Sequence, residues 1–395
     1  NEKHRFNVFA SAQHINRDSY YGGGQDPNAY GNTTDLNWMA GSQYVYSFGK
    51  CIFMPADLTA GIEFNQDKLE DNMWGYHRTV DQKVNIGSAF FQNEWKNEHW
   101  GFLIGGRLDK HNLIDHVIFS PRANLRYNPT ENINLRFSYS SGFRAPQAFD
   151  EDLHVKNVGG NVAMVELADN LKEERSQSLS ASADIYHRFG AFQVNFLVEG
   201  FYTKLSDVFA LTDGEVVDGI LTRTRYNAPG ARVMGLTLEG KMAYLTKFQV
   251  QAGVTLQQSH YSEPHVWNKE APAVKKMMRT PNTYGYFTAT YTPIKPLSIA
   301  LSGTYTGSML VHHKPVPGFL EKPITVNTKD FFDIGLKAAY DFKLYKSMNL
   351  QVNAGVQNIF NAYQNDFDKG ADRDSGYIYG PSLPRSFFAG VKISY

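Results

Sequence analysis

Cysteine is nearly absent. Cys51 is the only one in the 395 residues, which excludes an intrachain disulfide and a cysteine metal cluster. It follows Gly49-Lys50 in a predicted turn and reads as an inert thiol. Long apolar runs are also absent. None approaches the roughly 18 residues of a spanning helix, so a helical membrane protein is excluded, whereas a transmembrane barrel is not. The formal net charge is +0, which leaves no basic footprint for nucleic acid. Gly-x-Ser-x-Gly, His-Glu-x-x-His and phosphate-loop patterns are missing. No catalytic constellation stands out, and the expectation is a non-enzyme without a cofactor. Asn1 is preceded by no signal segment. The chain reads as mature or truncated, and this says nothing about its compartment.

What is present is alternation. Phe and Tyr number 27 and 23, a bias toward strands. Ile133, Leu135, Phe137 and Tyr139 alternate with Asn134, Arg136, Ser138 and Ser140, which predicts a strand with one apolar and one polar face. Leu179, Ala181, Ala183 and Ile185 alternate with Ser178, Ser180, Ser182 and Asp184. The passage between them, Gly142 to Arg175, is a very long loop.

The rest of the chain repeats this plan over about sixteen strands. Short connections (Lys96–His99, Asn128–Glu131, Arg188–Ala191, Thr246–Lys247, Pro293–Pro296, Tyr345–Met348) alternate with long ones (Arg17–Thr33, Asp67–Gln82, Leu205–Gly219, His260–Pro281, His312–Lys329, Asn361–Pro384). A bulge is predicted at Asn227-Ala228-Pro229-Gly230. Sorting short turns to one side and long loops to the other is the pattern of outer-membrane barrels. The polar faces, such as Gln249, Gln251, Thr255 and Gln257, are too polar for a core, so the apolar set is expected to face lipid. Tyr127, Tyr186, Tyr244, Tyr291, Tyr345 and Tyr395 fall near the short-turn side, as an aromatic girdle would. Phe387, Ala389, Val391, Ile393 and Tyr395 alternate up to a terminal aromatic, resembling the signal read by barrel-assembly machinery.

Several motifs, in order, resemble the barrel of TonB-dependent receptors: Ser120-Pro121-Arg122, Tyr127-Asn128-Pro129, Leu135-Arg136 and Gly142-Phe143-Arg144-Ala145-Pro146. Phe91-Gln92-Asn93-Glu94-Trp95 is similar to another strand of the family. Asn358-Ile359-Phe360-Asn361, Gly380-Pro381 and Pro384-Arg385 resemble its C-terminal end. The resemblance implies a 22-stranded transmembrane antiparallel β-barrel with an N-terminal plug. About sixteen strands and no plug-like segment or energy-coupling box then mark residues 1–395 as the C-terminal portion of such a barrel. It further implies the outer membrane of a Gram-negative bacterium, uptake of a ferric siderophore, haem or cobalamin, and a TonB-type coupling partner acting through the missing plug. A passive sixteen-stranded porin is the alternative, and an adhesin or phage receptor a third reading.

The candidate ligand residues lie in predicted external loops. Arg144 suits an anionic ligand as a bidentate donor, or an internal carboxylate. His154 lies between the Phe-Arg-Ala-Pro box and Ala168-Asp169-Asn170-Leu171, where haem receptors of the family often carry a histidine. A neutral imidazole can ligate iron. His312 and His313 are adjacent, so in an extended segment they face opposite ways. His260 and His265 sit in another loop. Asp366, Asp368, Asp372 and Asp374 surround Gly370 and are weak metal candidates, without the EF-hand spacing.

Overall fold

The computed structural model describes residues 3–21, 29–158, 160–345 and 347–395. Sixteen long strands form the wall. They are β1 His4–Tyr20, β2 Tyr30–Cys51, β3 Met54–Met73, β4 Arg78–Lys96, β5 Trp100–His111, β6 Val117–Thr130, β7 Ile133–Arg144 and β8 Glu174–Phe189. The others are β9 Phe192–Val217, β10 Ile220–Tyr244, β11 Phe248–His265, β12 Thr283–Ile294, β13 Leu297–Thr306, β14 Phe331–Tyr345, β15 Met348–Gln357 and β16 Ser386–Ser394. Each pairs antiparallel with the next, from β1–β2 through β7–β8 to β15–β16. Among the described residues β1 pairs only with β2, and β16 only with β15.

Alternation sets the faces. Leu135 pairs with Ala183, Phe137 with Ala181 and Leu179 with Tyr202, so the apolar face runs unbroken from strand to strand. Phe137, Leu179, Phe196, Leu256, Val352, Phe387 and Val391 are all exposed on it. Exposure of that many large apolar side chains is unfavourable in water and natural in lipid, where the wall satisfies its own backbone. Aromatic rings lie over glycines of facing strands. A Cβ on Gly303 would stand 2.3 Å from Phe287 Cε1, and one on Gly355 2.5 Å from Phe388 Cζ.

The buried apolar clusters lie at the long-loop end instead. Met73 packs with Tyr76 and Met164, Ile114 with Ile118 and Ala145, and Met309 with Val311 and Tyr377. The interior of this protein is thus built from its external connections.

Several predicted loops are strands. β3 and β4 are joined only by residues 74–77, and β9 reaches Val217, where the predictions placed loops at Asp67–Gln82 and Leu205–Gly219. These ends stand beyond the membrane, where both faces meet water or other loops, so apolar alternation lapses while pairing continues. β1 and β2 likewise extend into the predicted loop Arg17–Thr33; residues 22–28 of it lie outside the described residues. No bulge interrupts the register around Asn227–Gly230. The β9–β10 register is unbroken there and shifts between Asp213 and Val216. Asp207, at φ 54°, takes up the irregularity near Pro229, which has no N–H to pair. Tyr186 shares the polar face of its strand, its hydroxyl donating to Asp184 Oδ2 at 2.8 Å, and like Tyr291, Tyr345 and Tyr395 it is exposed near the short turns. Cys51 is a free, half-buried thiol at the end of β2.

Candidate functional site

Three connections meet over the external mouth. The first is residues 145–173, after β7. Its helical turn, Asp150–Leu153, is too short to hold itself and is tied down by arginines from the wall. Arg78 Nη2 donates to the Asp152 carbonyl at 2.9 Å and Arg78 Nη1 pairs with Asp71 at 3.2 Å. Arg17 pairs with Asp150 at 3.0 Å. Arg225 pairs with buried Asp152 and also reaches Glu151 at 3.1 Å. Arg144 pairs with Glu151 at 2.7 Å and its guanidinium lies 3.9 Å from the centre of the Phe149 ring. Arg144 and Arg225 together hold the Glu151 carboxyl below its ordinary value. The Phe-Arg-Ala-Pro arginine thus meets a carboxylate of its own loop.

The second connection, between β13 and β14, forms a ribbon of two short strands, Leu310–His313 and Ile324–Asn327. The two histidines leave it on opposite faces. His312 packs tilted against Trp267, with ring centres 5.1 Å apart, and its Nδ1 lies 3.4 Å from Met278 Sδ. Burial and nearby cations lower its pKa from 6.5 to about 3, so it is neutral. His313 stacks on Tyr377 at 3.8 Å, and its Nε2 lies 2.9 Å from Asp368 Oδ2.

The third connection, residues 358–385, supplies the acidic loop. Asp366 accepts from the Tyr379 hydroxyl at 2.7 Å. Burial and that carboxylate push the phenol up. Asp368 also accepts from the Asp374 N–H, and Asp374 from the Lys314 N–H, each at 3.0 Å. Asp372 Oδ1 lies where it would be 2.7 Å from a Cβ on Gly160, so this loop touches the first one. The carboxylates therefore serve different partners. Among the described residues no group of three or more His, Cys, Asp or Glu side chains is placed to hold a metal ion. His154 is exposed, beside Tyr21, with its Nε2 4.0 Å from Asp150. His265 packs tilted against Tyr261, with ring centres 5.0 Å apart.

A cluster that no sequence motif marks lies between the three connections. Lys314 Nζ reaches Asp213 on β9 at 2.7 Å, and Arg223 Nε of β10 reaches the same carboxylate at 2.9 Å. Arg279 donates to the Ile378 carbonyl at 2.7 Å and to that of Gly376. Lys156, after the first helical turn, has its pKa lowered by crowding and then by Arg223 and Arg279. Burial likewise lowers Arg279. Both side chains touch solvent yet are hemmed in by protein, as residues lining a water-filled vestibule are. Four cations (Lys156, Arg223, Arg279, Lys314) thus face three carboxylates (Asp213, Asp374, Glu151). Glu151 is already engaged by two arginines. The mouth carries excess positive charge in a poorly solvated place, where it acts strongly on an anion. The only hint in the sequence is the basic run Lys275, Lys276, Arg279.

An antiparallel wall with a lipid-facing apolar band, short turns at one end and interlocked long connections at the other defines an outer-membrane β-barrel protein. The family described as TonB dependent receptor-like, beta-barrel, matches residues 2–359, and the chain belongs to it. Its place is accordingly the outer membrane of a Gram-negative bacterium. A search of curated protein sequences returns no match. Among solved structures it is similar to a mutant of the ferric enterobactin receptor of Pseudomonas aeruginosa, with TM-score 0.70 and 16% identity over 100% of this chain and 59% of that one. The siderophore receptor PirA of Acinetobacter baumannii gives TM-score 0.67 and 16% identity over 98% and 59%. The ferric-catecholate import receptor Fiu of E. coli gives 0.70 and 15% over 99% and 62%. At these identities what is shared is the fold. The chain spans about three-fifths of the length of these neighbours.

Proposed function

We propose that this chain is the C-terminal part of the wall and the ligand-capturing mouth of a receptor for an anionic iron complex, a ferric siderophore above all. The observation that carries the reading is the cation cluster at the mouth: Lys156 and Arg279 exposed, Arg223 and Lys314 behind them, with Asp213, Asp374 and Glu151 the carboxylates that act on them. Solved neighbours named as siderophore receptors support it at the level of fold. A ferric siderophore with net negative charge gains from all four cations at once. Haem propionates would gain in part, with His154 as the exposed imidazole, whereas cobalamin carries no net negative charge to match the site. No covalent chemistry is required of the wall. Transport needs a TonB-type coupling protein and a plug, and both are part of the proposal.

The test is growth of a deletion strain supplied with single nutrients (ferric tris-catecholate, ferric hydroxamate, haem, cobalamin), with the full-length gene restored or absent. Growth lost only on the anionic ferric complex supports the reading, and Lys156→Glu with Arg279→Ala is expected to weaken its binding at least tenfold. Normal growth on every source, with open conductance of the purified protein in a bilayer, would point to a passive porin and sink it.

A further inference from the structure

Two strand edges at the external end of the wall lack neighbours. β4 pairs with β3 along its whole length, but with β5 only from Ile86 inward. Residues 78–85 therefore keep one edge open.

Alternation decides which backbone groups point out of that edge. The Asn112 N–H donates to the Asn85 carbonyl at 3.1 Å, and the Asn85 N–H donates to Asn112 Oδ1 at 2.9 Å. Odd-numbered residues of β4 thus turn their N–H and C=O groups away from β3. Asn112 Nδ2 also caps the Lys83 carbonyl, at 2.8 Å. Among the described residues, Thr79 and Asp81 have no backbone partner on this edge.

The second edge belongs to the short strand Asn161–Leu167, which runs parallel to β10 over residues 220–225. The Val162 N–H donates to the Gly219 carbonyl at 2.9 Å, and that of Ala168 to the Arg225 carbonyl at 3.0 Å. Even-numbered residues therefore serve β10, and odd-numbered ones face the other way. Ala163 meets Lys156 of the strand Lys156–Val158, and that pairing goes no further toward Leu167. Val165 and Leu167, both half-buried, are left open among the described residues.

Residues 79–83 and 164–167 line one cavity of about 830 Å³. An open strand edge is a template for another chain, because its N–H and C=O groups seek partners. Leu113, Met164, Val217 and Ile220 add an apolar lining. Trp74 and Val216, close in sequence to lining positions, are 62% and 50% exposed. The charges differ from those of the mouth. Asp81, Glu166 and Asp218 line the cavity, all exposed, and among the described residues none forms an ion pair. Arg78 and Asp152 are already engaged, by Asp71 and Arg225. Lys83 is the one unengaged lysine or arginine of the lining, so the lining favours a cation. Open edges give affinity through the main chain, and the apolar and acidic lining selects side chains.

We propose that this slot takes an extended, basic and apolar segment of a partner protein at the cell surface, which adds a strand to the open edge of β4. The slot is separate from the cation cluster at the mouth and does not depend on which nutrient is taken up there.

The full-length receptor, held in nanodiscs, would be panned against random nonapeptides displayed on phage. Enriched sequences are expected to alternate apolar residues and to carry lysine or arginine. They are then resynthesised with N-methyl groups on either the odd or the even backbone amides. A strand added to one edge donates to it with one parity only, so one set should lose at least tenfold in affinity and the other little. Thr79→Pro removes an outward donor without a ladder bond to β3 and without a change of charge. It should lower affinity at least tenfold and leave growth on the nutrient unchanged. Asp81→Lys with Glu166→Lys should weaken the basic peptides as strongly. Folding of each variant is read from the heat-sensitive gel mobility of the barrel. If Thr79→Pro does not fold, the N-methyl series carries the same test. No enrichment over empty nanodiscs, equal tolerance of both N-methyl sets, or undiminished binding by folded Thr79→Pro would overturn the proposal. So would loss of peptide binding in Lys156→Glu with Arg279→Ala, which would place the peptide at the mouth.

Discussion

Lys314 Nζ lies 2.7 and 2.8 Å from the two carboxylate oxygens of Asp213, although four wall strands, β10 to β13, separate the segments that carry them. The ribbon therefore leans over the mouth and is fastened to the rim at β9. Both side chains are largely buried, at 4% and 13% exposure, so the pair is poorly screened by solvent.

Lys314→Met tests this fastening. Breaking a buried pair from one side costs about 3–5 kcal/mol when the remaining charge has no other partner. Asp213 keeps Arg223 at 2.9 Å, so the expected local loss is nearer ~2 kcal/mol. Faster amide hydrogen exchange at 310–313 and 324–327, with the wall strands unaffected, is the predicted outcome. Unchanged exchange in the ribbon would show that Lys314 fastens nothing.

Arg225 should matter more than Arg144 for the first connection, although only Arg144 stands in a recognisable motif. Arg225 and Asp152 are 6% and 2% exposed, whereas Arg144 and Glu151 are 36% and 58% exposed. Arg225→Leu strands the buried Asp152 carboxylate and is expected to destabilise the turn by ~3 kcal/mol. Arg144→Ala removes an exposed pair and a stacking contact on Phe149, about 1 kcal/mol. Limited proteolysis of residues 145–173 in the two variants gives the ranking, and equal cleavage rates would contradict it.

The ribbon should loosen in acid. His312 is neutral in the fold, with its pKa lowered from 6.5 to about 3. The unfolded segment binds a proton below pH 6.5 and the folded one does not. The stability His312 contributes is therefore complete above pH 6.5 and is lost as pH falls from there toward 3, by at most ~1.4 kcal/mol per pH unit. Hydrogen exchange of residues 310–313 across pH 4–7, corrected for intrinsic rates, checks this. His312→Phe, which keeps the ring against Trp267 and removes the titration, should flatten the profile. A profile equally steep in that variant would assign the effect elsewhere.

Gly303→Ala is expected to destabilise the wall by about 1–3 kcal/mol, since the new methyl would stand 2.3 Å from the Phe287 ring. Phe287→Ala in the same chain should recover part of the loss. The heat-sensitive gel shift of the three variants measures it. A Gly303→Ala protein as stable as the parent would show that the ring moves freely.

The wall was legible in the sequence because a lipid-facing strand writes its orientation at every second residue. Leu135 and Phe137 show it, and so do Phe387, Val391 and Ile393, all exposed on the apolar face. The number of wall strands followed from counting those runs. Strand ends were less legible, as at Asp67–Met73 and Leu205–Val217, because above the membrane neither face must be apolar. Tyr186 misled for a related reason. A tyrosine near a short turn suits either face, but parity was there to read: Tyr186 shares the polar face with Asp184, two residues before it, and Ile185 between them takes the apolar one.

The mouth was decided by tertiary structure. Arg144, His154, His312 and His313 drew attention through neighbours in sequence, yet the cations that converge come from four separate segments. Lys156 follows the helical turn, Arg223 lies on β10, Arg279 precedes β12, and Lys314 ends the ribbon. The local pattern of a chain fixes what a strand does with its two faces, since each residue meets lipid or lumen by parity alone. Which charges meet over the opening depends on how far each connection leans and what it strikes, and that long-range closure leaves no periodic trace in the sequence.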